Sequence, residues 1–314
     1  MTYLKRFAYF ILTGLFVAFT VSFVVSFITR FFGINLAAGG YAGLFVLCLV
    51  YGMVGSFISL QLSRWMAKKF HGVEVIDPQT TNPTARKLLD TVYRLARNAG
   101  LDTMPEVGIY ESPDVNAFAT GPSKARSLVA VSSGLLNTMS EGEIEGVLAH
   151  ELAHITNGDM VTLTLIQGIV NAFAMFFAHI ITTIIMNSFR GERDDRRSGF
   201  GDFMLRNFIY HIVAIVFTVF GSIIVNYFSR QREFRADAGG ARFASPEKMA
   251  AALQRLQLIS GRPAVANTDQ SQGRDDLAVM KISGKTSGMT RLFMTHPPLE
   301  ERLAALRNRT YMQT

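Results

Sequence analysis

The sequence predicts a mainly α protein with a small β-sheet, whose soluble part is joined to four membrane helices. Three observations carry that reading. Hydrophobic residues make up 49% of the 314-residue chain and charged ones only 18%, a low charge for a soluble protein. Long apolar runs interrupt the chain, and the stretches between them show helical spacing with two short strand-like runs.

Residues 7–29 and 37–60 contain no charged side chain, and each is long enough as a helix to cross a hydrocarbon core. They form an N-terminal membrane hairpin within residues 1–63. Residues 161–187 and 208–228 form a second hairpin within 161–228. The first segment lacks the short apolar core and small-residue cleavage site of a signal peptide, so it is read as a retained anchor. Lys5 and Arg6 precede the first segment, whereas Arg64, Lys68 and Lys69 follow the second. An excess of Lys and Arg marks the cytoplasmic side, which puts the soluble residues there. The loop 190–202 carries four arginines balanced by four acidic residues and faces the other side in this scheme. The net charge of +7 forms no basic patch with interleaved aromatics, which argues against nucleic acid. Cys48 is the single cysteine, so no intrachain disulfide forms.

Residues 64–160 read as the first half of the soluble domain and 229–314 as the second. Leu88, Leu89, Val92, Leu95 and Ala96 share one face of a helix over 84–100, closed by Gly100. Residues 106–111 and 127–134 read as strands, 262–288 as a polar loop, and 299–308 as a helix.

The chemistry concentrates in 150-HELAH-154. Ser140 and Glu143 form a capping-box pattern and Asn157-Gly158 a stop, so His150 and His154 lie on one helix four residues apart. That spacing lets both imidazoles reach one tetrahedral zinc ion, with Glu151 beside them to take a proton from the attacking water. A catalytic zinc needs a third protein ligand. Between Asp159 and Glu192 there is no acidic residue, and His179 and His211 lie inside apolar segments. The chain next offers carboxylates in 229-SRQREFRADAGG-240, where Glu233 and Asp237 share a helical face. Glu233 is taken as the ligand and Asp237 as the acceptor that orients a ligand histidine. Spacing alone does not decide between this and the reverse assignment. Asp159 is read as a turn residue after the helix.

HELAHI, SRQREFRADAGG, VNAFATG and THPPLEERL, in this order among four apolar segments, resemble the Ste24/HtpX family of membrane zinc metalloproteases. The resemblance covers essentially the whole chain. It implies a zincin-like domain, one zinc ion per chain on His150, His154 and Glu233, Glu151 as base, and Asp237 behind the ligands. It further implies a multi-pass protein of the bacterial inner membrane whose active site faces the cytoplasm and cleaves unfolded or membrane proteins in quality control. Asn116 and Ala117 match a family segment at the cleft, where a strand edge could hold substrate backbone. His296 matches a family histidine near the metal, as a second donor to the oxyanion or a cover for the zinc. Two other readings are a prenyl-peptide processing enzyme of the Ste24 type and a catalytically silent membrane scaffold. The first calls for more membrane helices; the second has no need of Glu151.

Overall fold

A computed structural model of the chain describes residues 40–189, 200–260 and 294–308, together with Phe19, Phe23, Ser26, Phe27 and Arg30. The apolar segment 7–29 and the loop 262–288 therefore fall largely or wholly outside the described residues. Two compact units emerge, residues 1–60 with 163–225 and residues 61–162 with 226–314.

Most of three long apolar helices falls in the first unit. Helix α1 (Gly40–Phe70), α5 (Asp159–Phe189) and α6 (Phe200–Phe243) are each long and apolar enough to cross a membrane. Gly52 of α1 packs against the Gly168 backbone of α5, an approach that a side chain at either position would prevent. Phe45 meets Phe173 and Phe176, and Phe177 stacks on Phe217 at 5.5, 5.3 and 5.4 Å.

Two of these helices run further than the sequence predicts. Helix α1 continues to Phe70 rather than stopping near residue 60, because nothing in 61–70 breaks a helix until Gly72, at φ 67°. Helix α6 carries the apolar run 208–228 and the acidic motif on one unbroken 44-residue helix. The predicted join at residue 229 does not interrupt it.

The second unit is built around a four-stranded mixed sheet. Strands β1 (Glu74–Val75), β2 (Glu106–Tyr110), β3 (Ala117–Ser123) and β4 (Arg126–Ser132) lie in the order β1-β2-β4-β3. β2 and β4 are parallel, and the outer pairs are antiparallel. Strand propensity predicts neither β1 nor β3, though the resemblance places a strand edge at Asn116 and Ala117: β1 has only two residues, and β3, with Gly121 and Pro122 in it, lacks β-branched alternation. Gly121, at φ 145°, makes the irregular turn-in towards β4, where an added side chain would strike the Arg126 carbonyl. The predicted strand 127–134 stops at Ser132, whose hydroxyl caps the short helix α3 (Ser133–Thr138).

Helices α2 (Pro83–Asn98) and α4 (Glu141–Asn157) pack on the sheet. The predicted face of α2 is the one buried: Leu88, Leu89, Val92, Leu95 and Ala96 meet Val107, Val129 and Val131 from the strands and Leu148, Leu152 and Ile155 from α4. Asn82 caps α2 and Gly100 takes a left-handed conformation just beyond it. The opposite sheet face is covered by Ala67 and Val73 around Leu128, Ala130 and Tyr110. Arg64 and Lys68 pair with Glu106 at the start of β2.

Helix α7 (Pro246–Ser260) and the short α8 (Leu299–Arg307) close the unit around Met249, Leu253, Leu303 and Leu306. Glu145 ties α4 to both neighbours, with Arg94 and Lys248 each at 2.8 Å. Burial pushes its carboxyl up, but these cations outweigh burial and hold its pKa below the usual 4.5. The folded pKa is the lower one, so this stabilisation is present above the unfolded pKa and is lost as pH falls through the folded one. Urea titrations should show wild type more stable than Glu145→Gln at pH 7, with the gap narrowing as pH falls below the usual carboxylate range. A gap that did not change with pH would remove the ion pairs from the account.

Candidate metal centre

Helix α4 starts and stops as its ends dictate. The Glu143 carboxylate accepts from the Ser140 backbone N–H at 2.7 Å, and Gly158 closes the helix at φ 70°. His150 and His154 consequently face one way, with their Nε2 atoms 3.2 Å apart. Helix α6 brings Glu233 to the same point. Its Oε2 is 3.5 Å from His150 Nε2 and its Oε1 is 3.4 Å from His154 Nε2. Glycine makes that approach possible. A side chain on Gly240 would press on Met249 and the His150 backbone, and the Cβ of one on Gly239 would lie 2.6 Å from Ala153 Cβ. Gly239→Val should therefore cost about 1–3 kcal/mol of stability and weaken metal binding together, read by denaturant unfolding and metal titration. An unchanged metal affinity would show that the α4–α6 spacing does not set the site.

Two donor atoms held about 2.0–2.1 Å from one tetrahedral ion stand about 3.3 Å apart. The three distances here are of that size. Glu233 is fully buried and neither of its oxygens has an aligned hydrogen-bond donor, which is costly for a carboxylate unless a cation satisfies it. His150, His154 and Glu233 are also the only His/Cys/Asp/Glu group with metal-ligating spacing among the described residues. Donors and spacing fit a metal ion.

The histidines are oriented from behind. Asp237 Oδ1 lies 3.0 Å from His150 Nδ1, and Asp159 Oδ2 lies 2.7 Å from His154 Nδ1. Each carboxylate favours the tautomer that leaves Nε2 free to ligate. The sequence-based reading of Asp159 is thus corrected. Gly158, at φ 70°, ends α4, and the first residue of α5 meets the imidazole of His154, where Asp159 is 2% exposed. Asp159→Ala should weaken metal affinity roughly 10- to 100-fold without abolishing binding. Affinity equal to wild type in a chelator competition would return Asp159 to a turn residue.

Asp237 is itself clamped by Arg302, whose Nε and Nη2 donate to its two oxygens at 2.8 and 2.6 Å. Burial pushes the Asp237 carboxyl up; the guanidinium, with His150, more than offsets that and lowers its pKa. Burial likewise raises Glu233, and the His150 and His296 imidazoles hold it well below the carboxylate range. For His150 burial acts downwards, and Asp237 and Glu233 raise it to about 9, so a cation entering here displaces a proton.

A largely buried His–His–carboxylate trio, with a glutamate between the histidines on the same helix, joins the geometry to the comparisons with known proteins. The model of peptidase family M48 matches residues 82–310. The chain belongs to that family. Relatives named Protease HtpX extend the match to the membrane segments. The one from Aeromonas hydrophila subsp. hydrophila is 49% identical over 304 residues, 97% of this chain and 100% of its own length. The one from Shewanella oneidensis is 48% identical over 306 residues, 98% of this chain and all of its own. Among solved structures, Ste24p of S. mikatae superposes with a TM-score of 0.60 at 17% identity, covering 94% of this chain and 65% of Ste24p. At that identity the likeness is one of fold alone. This M48 chain is a membrane-associated metallopeptidase, a hydrolase of peptide bonds.

The other residues singled out in the sequence fall near the M48 centre in different ways. Glu151 accepts a hydrogen bond from the Ala119 backbone N–H at 2.9 Å, so its carboxylate points to the edge strand β3. Ala117 opens that strand and Asn116 immediately precedes it. The backbone of Asn116 is held by Ser132, and Ala117 pairs with Val131. Ala119, two residues on, is the one that meets Glu151, and the sequence held no sign of it because a backbone N–H has no residue code. His296 Nδ1 comes within 2.8 Å of Glu233 Oε2, and the side chain is 48% exposed. Arg302 was missed as well. Its signal was an arginine on the apolar face of α8 beside Leu303 and Leu306, a place that a charge occupies only with a partner.

Proposed function

We propose that this M48 peptidase is a zinc endopeptidase of the bacterial inner membrane, with its site on the cytoplasmic side. It cuts misfolded or damaged membrane proteins, and other unfolded chains, in quality control. The observation that carries the reading is the convergence of His150 Nε2, His154 Nε2 and the buried Glu233 carboxylate on one point, with Glu151 beside it. Two imidazoles with one carboxylate suit zinc better than calcium or magnesium, which prefer all-oxygen sites. Bound there, zinc supplies Lewis acidity, acidifying a water molecule and polarising the scissile carbonyl.

The chain's own residues do the rest. Glu151 takes the proton of the attacking water and passes it to the leaving amine. The Ala119 N–H holds that carboxylate in place between turns of the cycle. The outer edge of β3, from Asn116 and Ala117 onward, binds extended substrate through main-chain hydrogen bonds, a mode that accepts many sequences. His296 stands at the exposed rim, where an imidazole N–H donates to the developing oxyanion. Asp237 and Asp159 keep the ligand imidazoles in register. Lys68 and Lys69 in the last turn of α1 support a cytoplasmic site.

The test is digestion of an unfolded, casein-like protein by the full chain purified in detergent. Chelation should stop cleavage, and zinc at one equivalent per chain should restore it. Cleavage indifferent to chelation would sink the metal-dependent reading. Zinc binding at one equivalent without cleavage of any unfolded substrate would favour the scaffold.

A further inference from the structure

We propose that Arg230 is a positioning residue for His296, an assignment that rests on the zinc-endopeptidase reading. Arg230, Glu233 and Asp237 fall at i, i+3 and i+7 of α6 and share one face. Each meets a different point of the segment 294–302. Arg230 Nη1 donates to the Met294 carbonyl at 2.8 Å, Glu233 meets His296, and Asp237 takes the fork of Arg302. The helix face that supplies the third metal donor thus also docks the C-terminal segment at three places.

His296 needs such a hold because its own burial gives it none. Its side chain is half exposed, and no regular element begins until α8 at Leu299. Pro297 confines the backbone of His296 to extended conformations and fixes its own φ, so the segment is stiff on the C-terminal side. On the N-terminal side, Arg230 fixes a carbonyl two residues before His296. With both sides held, the ring's own two torsions are left to the contact with Glu233. The Arg230 side chain makes this contact to the backbone of Met294, so it acts whatever side chain stands at 294.

The experiment is a double-mutant cycle on the detergent-purified full chain: Arg230→Ala, His296→Ala and the pair, with Arg230→Lys as the conservative variant. Arg230→Ala should lower kcat roughly 10- to 100-fold at full metal content, as expected for a displaced group. The double variant should be no slower than His296→Ala alone, because both changes remove the same contribution. Arg230→Lys, which still offers N–H groups to a carbonyl, should recover part of the loss. Amide hydrogen exchange followed by mass spectrometry gives a readout that needs no turnover. In Arg230→Ala, exchange should quicken in peptides covering 294–296 and stay unchanged in α4.

Additive losses in the cycle would overturn the proposal, as would loss of metal in Arg230→Ala or unaltered exchange at 294–296. If Arg230→Ala fails to fold, the cycle is run with Arg230→Lys, where additivity overturns the proposal in the same way. A wild type that cleaves no faster than Glu151→Gln defeats the protease reading instead, and the exchange result still decides the role of Arg230.

Discussion

Glu151→Gln protein should carry its full metal complement and lose roughly 10²- to 10⁴-fold in kcat, the range for removing a general base. Glutamine keeps the shape of the side chain but cannot take a proton from water. The metal donors are His150, His154 and Glu233, none of which the change touches, so bound metal should be unaltered. The amide oxygen can still accept from Ala119 N–H, so β3 should stay in register beside α4. The loss corresponds to about 3–5 kcal/mol of transition-state stabilisation. Metal analysis alongside cleavage of an unfolded protein gives both numbers. Turnover at the wild-type rate would mean that some other group is the base. A drop in metal content would mean that Glu151 helps to hold the ion.

Glu233→Ala should lose the metal and the activity together, with affinity reduced well beyond the roughly 10- to 100-fold expected for an outer partner such as Asp159 or Asp237. Glu233 is fully buried, and what it removes from the site is the one negative donor set against two imidazoles. The variant should still fold, because the buried Arg302 keeps its Asp237 partner and alanine suits a helix interior. Asp237→Ala makes the comparison decisive. It leaves Arg302 buried without its carboxylate, so it should cost stability more than metal. Full metal in Glu233→Ala, with metal lost in Asp237→Ala, would exchange the two roles and settle what spacing along the sequence left open.

The match between sequence and structure follows the range of the forces involved. The helix that carries His150 and His154 was legible because its signals are local: Ser140 and Glu143 at one end, Gly158 at the other, and a four-residue period between the histidines. The apolar helices were legible for the same reason, since hydrophobic runs need no partner to be recognised, although their ends were not. Helix α1 outran its apolar run because amphipathic residues with no breaker continue a helix as readily as apolar ones do. Strand β3 was invisible to β-propensity because its neighbour β4 and the turn at Gly121 hold it in place.

The sequence by itself determined the mainly helical class, the apolar spans within the described residues and the pairing of two histidines with a glutamate on one helical face. Glu233 could be picked out as a carboxylate on the right stretch of chain, but only the tertiary structure brought it within 3.5 Å of both imidazoles. The tertiary structure alone placed Asp159 behind His154, Arg302 on Asp237, and the Ala119 N–H on Glu151. The physical reason is the same in each case. Helix ends and hydrophobic periods are fixed by residues within a few positions of one another. A buried polar contact forms between groups that share no sequence period, and it is decided by where packed helices and strand edges come to rest.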